Sequence, residues 1–189
     1  MLHESLQMVL DEARDHMDKS VEHLRSDLRS IRAGRASPAM LENVKVDYYG
    51  THTPLAQMAS ISAPQPDLIM VQPWDRSVLN AVEKAIQAAN LGLNPSNDGN
   101  FIRLPVPPLS EERRRDLVKG AKTRGEDAKI AIRNVRRHSK DHIKDMSKEE
   151  GLPEDMRFEA EDTLQKMTDD YIRKVDSLLE HKEAEIMEV

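Results

Sequence analysis

Apolar side chains at Leu6, Leu10, Ala13, Met17, Val21, Leu24, Leu28 and Ile31 step by four and three, which keeps them on one face of an α-helix and predicts a long amphipathic helix through residues 2–33. The same habit resumes after Ser110, a good helix N-cap followed by two acids, Glu111 and Glu112. Its stripe is read as Leu117, Ala121, Ala128, Ala131, Val135, Ser139, His142 and Met146, ended by Gly151 and Pro153. A third helix is predicted from Glu154 nearly to the C-terminus on Ala160, Leu164, Met167, Tyr171, Val175 and Leu178. Each is expected to exceed about 30 residues, or roughly 45–60 Å at 1.5 Å per residue. A helix with one apolar stripe cannot bury that stripe alone, so three of them joined by the tight Gly-Leu-Pro connection predict an antiparallel three-helix bundle.

Residues 34–108 follow a different pattern and hold every proline of the chain except Pro153. Here Asn43–Tyr49 alternates as a strand, residues 50–54 read as a turn, and Leu68–Val71 reads as a short buried strand. Ser77–Leu91 is expected as a helix and Phe101–Leu104 as a further strand. The predicted class is therefore α+β: a bundle of residues 1–33 and 109–189 with a small β-rich α/β domain, 34–108, inserted in it. The chain crosses between the two at IRAGRASP (31–38) and LPVPPLS (104–110). Gly34 in the first crossing and Pro105, Pro107 and Pro108 in the second are the candidate hinge residues of a two-crossing hinge; a fixed junction punctuated by the same residues is the alternative.

Composition narrows the function classes. Six aromatic residues among 189 leave the core to Leu, Ile, Val, Ala and ten Met, which suits slender helix packing. Without cysteine there are no disulfides or thiolate metal sites, and a cytoplasmic setting is expected. The N-terminal segment has neither a basic n-region nor an apolar h-region, and no 18-residue apolar run occurs, so neither export nor membrane spanning is expected.

Charge is unevenly placed. The formal net charge is −6, yet residues 109–150 carry 13 basic and 9 acidic side chains. Placed at about 100° per residue with Ala128 at zero, Lys129, Arg133, Arg136, Lys140 and Lys144 fall between about 80° and 160°, with Arg137, Lys122 and Arg115 at or near that band. Asp116, Asp127, Asp141 and Asp145 gather at about 220–260°. Charges on a solvated face would mix; this sorting concentrates positive potential on one side and predicts a polyanion partner. The apolar stripe is taken up by the bundle, which argues against a membrane surface. DNA reading needs a short helix seated in a major groove, whereas this is the long side of a rod. Structured RNA fits, recognised through phosphates and shape because no aromatics interleave with the cations. A scaffold whose basic face meets an acidic protein also satisfies the pattern.

The runs IRAGRASPAMLENVKVDYYGTHTPLAQMASI (31–61), VEKAIQAANLGLNPSNDGNFIRLPVPPLSEERR (82–114) and IRNVRR (132–137) resemble signatures of the ribosome recycling factor family, in order along the whole chain. The resemblance implies an L-shaped, cytoplasmic, monomeric translation factor. It would bind the intersubunit face of the large ribosomal subunit after termination. With elongation factor G, which hydrolyses the GTP, it would separate the subunits so that messenger and tRNA leave. It further implies that Arg133 and Arg136, with Arg137 beside them, contact large-subunit ribosomal RNA, and that Arg32 and Arg35 in the GRASP segment add contacts. His138-Ser139 stands where relatives commonly have Asp-Ala, and His52 where Pro is frequent.

Catalytic chemistry finds little support. His138 and His142 are spaced i, i+4, but Lys140 lies between them, the Glu of HExxH is missing and no third ligand is evident, so no metal is expected. GLNPSNDGN (92–100) lacks the Lys-Ser/Thr of a P-loop and the spacing of an EF-hand. No cofactor and no enzymatic activity are expected.

Overall fold

The computed structural model describes residues 1–31 and 34–188, and within them the chain divides into two compact units. One is formed by residues 1–33 with 111–189, the other by residues 34–110.

The first unit is a bundle of α1 (Glu4–Arg29), α3 (Glu111–Glu149) and α4 (Glu154–Met187). Its interior is aliphatic: Leu6, Leu10, Met17, Leu24, Ile132 and Ile143 are fully buried, each burial stabilising by roughly 1.5–3 kcal/mol. At 26 residues α1 is shorter than the expected minimum. Its last carbonyls turn onto the amide of Ser30, and the Ser30 hydroxyl donates to the Asp27 carbonyl at 2.6 Å. From α3, Arg124 donates to that same carbonyl at 2.7 Å and to Ser30 Oγ at 3.1 Å. A cation thus closes the negative end of α1 and satisfies acceptors the helix leaves open.

The α3–α4 connection is a Schellman motif. Gly151 takes φ +61°, the Leu152 amide donates to the Ser147 carbonyl at 2.8 Å, and the Gly151 amide donates to Lys148 at 3.3 Å. Leu152 packs on the bundle core behind it.

The buried arc of α3 is rotated from the sequence expectation. Ala121, Gly125, Ala128, Ile132, Ser139, Ile143 and Ser147 face inward, Ala131 and Val135 are half-buried, and His142, expected in the core, is exposed. Packing against two helices at once, α3 buries an arc centred nearer Ile132 than Ala128. The small residues in it let α4 approach closely: a Cβ added to Gly125 would stand 2.3 Å from Leu179 Cδ1.

In the second unit, β1 (Lys45–Tyr48) and β2 (Thr51–Pro54) form an antiparallel hairpin. Tyr49 and Gly50 between them have φ of +49° and +82°, the geometry of a type I′ turn. Residues 51–54, expected as turn, are therefore strand; Thr-His-Thr-Pro has no apolar alternation to reveal it. A second sheet holds β3 (Ala59–Gln65), β4 (Leu68–Pro73), β5 (Ser96–Asn97) and β6 (Ile102–Pro105) in the order β3-β4-β6-β5, all antiparallel. The helix α2 (Leu79–Ala88), expected from Ser77 to Leu91, follows a 3₁₀ turn over Arg76–Val78 that is capped by the Asp75 carboxylate accepting from the Ser77 amide. Val46, Leu55, Ile69, Val71, Val82, Ile102 and Leu104 form the core.

Both ends of this unit are tied to the β3–β4 turn: the Ala36 amide donates to Pro66 and the Val106 amide to Asp67, each at 2.7 Å. Beside them Gly34 has φ +84°, and a Cβ there would meet Leu109 Cδ1 at 3.1 Å, so conformation and space both favour glycine. Pro105 is paired with Leu68 as part of β6, whereas Pro107 and Pro108 follow the Val106 tie.

Candidate RNA-binding face

Helix α3 is 39 residues long and carries the basic strip along one side. Because the buried arc is rotated toward it, the strip borders α4 and meets that helix's acids. Lys122 Nζ lies 3.8 Å from Glu183, and Lys129 Nζ lies 2.5 Å from Asp176 with only 19% of its side chain exposed. Arg133, 44% exposed, sits 3.4 Å from Glu126, an acid within the basic side of α3 itself, and Arg115 pairs with Glu111 at 2.6 Å. The N-terminal part of the strip is therefore largely neutralised.

Its C-terminal part is different. Arg136 is half-buried and donates to the neutral side-chain carbonyl of Gln165 at 3.0 Å. Arg137, Lys140 and Lys144 are exposed and have no ion-pair partner among the described residues. Across two and a half turns of helix, four cations stand on one side without carboxylate compensation. Such a row attracts an anionic surface and gains from phosphate contacts, bidentate ones at the arginines. Exposed Ile130 lies beside Arg133 and Arg137 one and two turns on.

The opposite edge of α3 has another character. His138 and His142 line an open cavity of about 250 Å³ against α1, together with His16 and Glu12. Arg35 is exposed in the second unit, and Arg32 lies outside the described residues. Gln165 is not legible in the sequence, since a neutral amide carries no charge signal, whereas Glu126 is, since its spacing from Arg133 puts both on the same side of α3.

A family model described as ribosome recycling factor matches residues 24–187. The chain belongs to the ribosome recycling factor family. The ribosome-recycling factor of Salinibacter ruber is 55% identical over 184 residues, 97% of each chain. That of Myxococcus xanthus is 51% identical over 181 residues, covering 96% of this chain and 98% of its own. Among solved structures, a solution structure of the ribosome recycling factor matches the whole of both chains with a TM-score of 0.81 at 42% identity. A second match presents models of the T. thermophilus ribosome recycling factor and E. coli elongation factor G bound to the E. coli post-termination complex. It has a TM-score of 0.65 at 47% identity, covering 97% of this chain and all of that one. The recycling-factor fold thus supplies, in this chain, a bundle whose second long helix carries the uncompensated cations. Among the described residues no helix is long and apolar enough to cross a membrane.

Proposed function

We propose that this recycling factor docks its bundle on large-subunit ribosomal RNA of the post-termination ribosome through Arg136, Arg137, Lys140 and Lys144, with Arg133 at the edge of the contact. The observation that carries the reading is the asymmetry of the strip: cations before Arg136 are paired with carboxylates, those from Arg136 onward are not. Lys129 then holds α3 to α4, and its contribution to RNA is indirect. Arg32 and Arg35 add contacts near the crossing segments.

In this reading the protein is a lever and not an enzyme. The bundle is held on RNA, elongation factor G hydrolyses GTP, and the small unit is driven about Gly34 and Pro107–Pro108 until the subunits part. The factor acts as a monomer in the cytoplasm, without cofactor, membrane or DNA. The likeness to a recycling factor placed beside elongation factor G on a post-termination complex supports the assignment of partners.

The test is subunit separation from post-termination ribosomes, followed by light scattering with and without elongation factor G and GTP. Wild type is expected to split them only with both present, and Arg136→Ala/Arg137→Ala to lose binding by roughly 1–3 kcal/mol per arginine with helicity unchanged. Full splitting activity in that double variant would refute the reading, and binding indifferent to salt and RNase would point to a protein partner instead.

A further inference from the structure

Resting on the reading of the strip as an RNA-binding face, the geometry points to Gln165 as a positioning residue that keeps the charge of Arg136 available to that RNA. Lys122, Lys129 and Arg136 recur every seven residues on α3, two helical turns apart and so on nearly one line. On antiparallel α4 the acids Glu183, Asp176 and Asp169 recur every seven in the opposite direction. The first two pairs close as ion pairs, Lys122–Glu183 and Lys129–Asp176. By the same register Asp169 should close on Arg136.

It does not. Gln165, one turn earlier on α4, stands between them: its carbonyl oxygen accepts from Arg136 Nη1 at 3.0 Å and its amide nitrogen donates to Asp169 Oδ1 at 2.9 Å. The glutamine uses both ends. Its donor satisfies the carboxylate that would otherwise capture the guanidinium, and its acceptor fixes the orientation of a long, rotamer-rich side chain. Because the acceptor is neutral, Arg136 is held without losing its positive charge to an internal pair, and its remaining N–H groups are left for a phosphate. At the two preceding positions the same register spends the cation on bundle stability; here it is diverted to the surface. Gln165 is itself exposed, so substitution there leaves the core intact.

The experiment measures binding of the full chain to purified large ribosomal subunits across a salt series. Gln165→Glu, of the same shape, places a carboxylate against Arg136; about tenfold weaker binding is expected. The log–log salt slope should also be shallower by about 0.7–0.9, one phosphate contact. Gln165→Leu lets Asp169 take the guanidinium and should weaken binding likewise, while Gln165→Leu/Asp169→Asn should recover the wild-type slope. A merely structural glutamine would move none of these slopes. Wild-type affinity and slope in Gln165→Glu, with Arg136→Ala binding more weakly, would overturn the positioning role and leave the RNA face standing. Failure of the double variant to recover the slope would overturn the relay through Asp169. A wild-type slope in Arg136→Ala would overturn both the role and the face.

Discussion

Two glycines inside α3 give a matched pair of substitutions whose difference reads out the α3–α4 packing. Gly120 is exposed, and a Cβ added there meets nothing within 4 Å; at Gly125 the same atom stands 2.3 Å from Leu179 Cδ1, 2.7 Å from Cδ2 and 2.8 Å from Cγ. Each Gly→Ala change gains the same helix propensity, about 0.8–1.0 kcal/mol. At position 120 nothing opposes that gain, and Gly120→Ala should stabilise the bundle by about 1 kcal/mol. At position 125 carbon atoms that prefer about 3.5–4.0 Å of separation are forced to move by more than an ångström, and overpacking of this kind costs about 1–3 kcal/mol. Gly125→Ala should therefore be neutral to about 2 kcal/mol destabilising, and the two variants should differ by about 1–3 kcal/mol. Urea unfolding followed by circular dichroism at 222 nm measures both. Adding Leu179→Ala to Gly125→Ala removes the opposing atoms and should expose a coupling of at least about 1 kcal/mol. If Gly125→Ala stabilises as much as Gly120→Ala, and the cycle shows no coupling, the close approach of α3 and α4 is wrong.

Removing the Arg124 cap from the end of α1 by Arg124→Ala should cost about 1–2 kcal/mol in urea unfolding and raise hydrogen exchange in the last turn of α1. Tyr171 is buried and donates to Asp18; burial first, then that acceptor and its charge, push its phenol up to about 12 from 10.0. Because the folded state holds the proton more tightly, this contribution is complete below about pH 10 and is lost as pH rises from 10 to 12. It amounts to roughly 2–3 kcal/mol at 1.36 kcal/mol per unit. Tyr171→Phe should remove that alkaline fall from the stability profile.

The sequence reveals the helices because a stripe at spacing three and four is imposed by burial of one face, and Gly151-Leu-Pro marks the turn by residues that cannot continue a helix. The rotation of α3 was harder to see. Ala121, Ala128 and Ser139 belong to both rows, but the buried row continues through Ile132, Ile143 and Ser147, while a neighbouring row through Ala131, Val135 and His142 fits the three-and-four spacing equally well. Gly125, Ile132 and Ile143 were the available signal, since a glycine in line with Ala121 and Ala128 marks where another helix comes close and the two isoleucines are more apolar than Ala131 and His142. In the inserted unit β3, Ala-Ser-Ile-Ser-Ala-Pro-Gln, escaped notice because edge strands tolerate proline and need only one apolar face. The basic strip was visible as charge, but its division into paired and unpaired halves depends on the register of α4, which no single-helix projection contains.

That division is tested most directly by comparing two triple variants that remove the same charge. Arg137→Ala/Lys140→Ala/Lys144→Ala strips the uncompensated end of α3, and Arg115→Gln/Lys122→Gln/Lys129→Met strips cations already paired with Glu111, Glu183 and Asp176. Binding to large ribosomal subunits is followed across a salt series. The first variant is predicted to flatten the log–log slope by about 2–3 while the second keeps the wild-type slope; equal changes in both would contradict the placement of the RNA contact at the C-terminal half of α3.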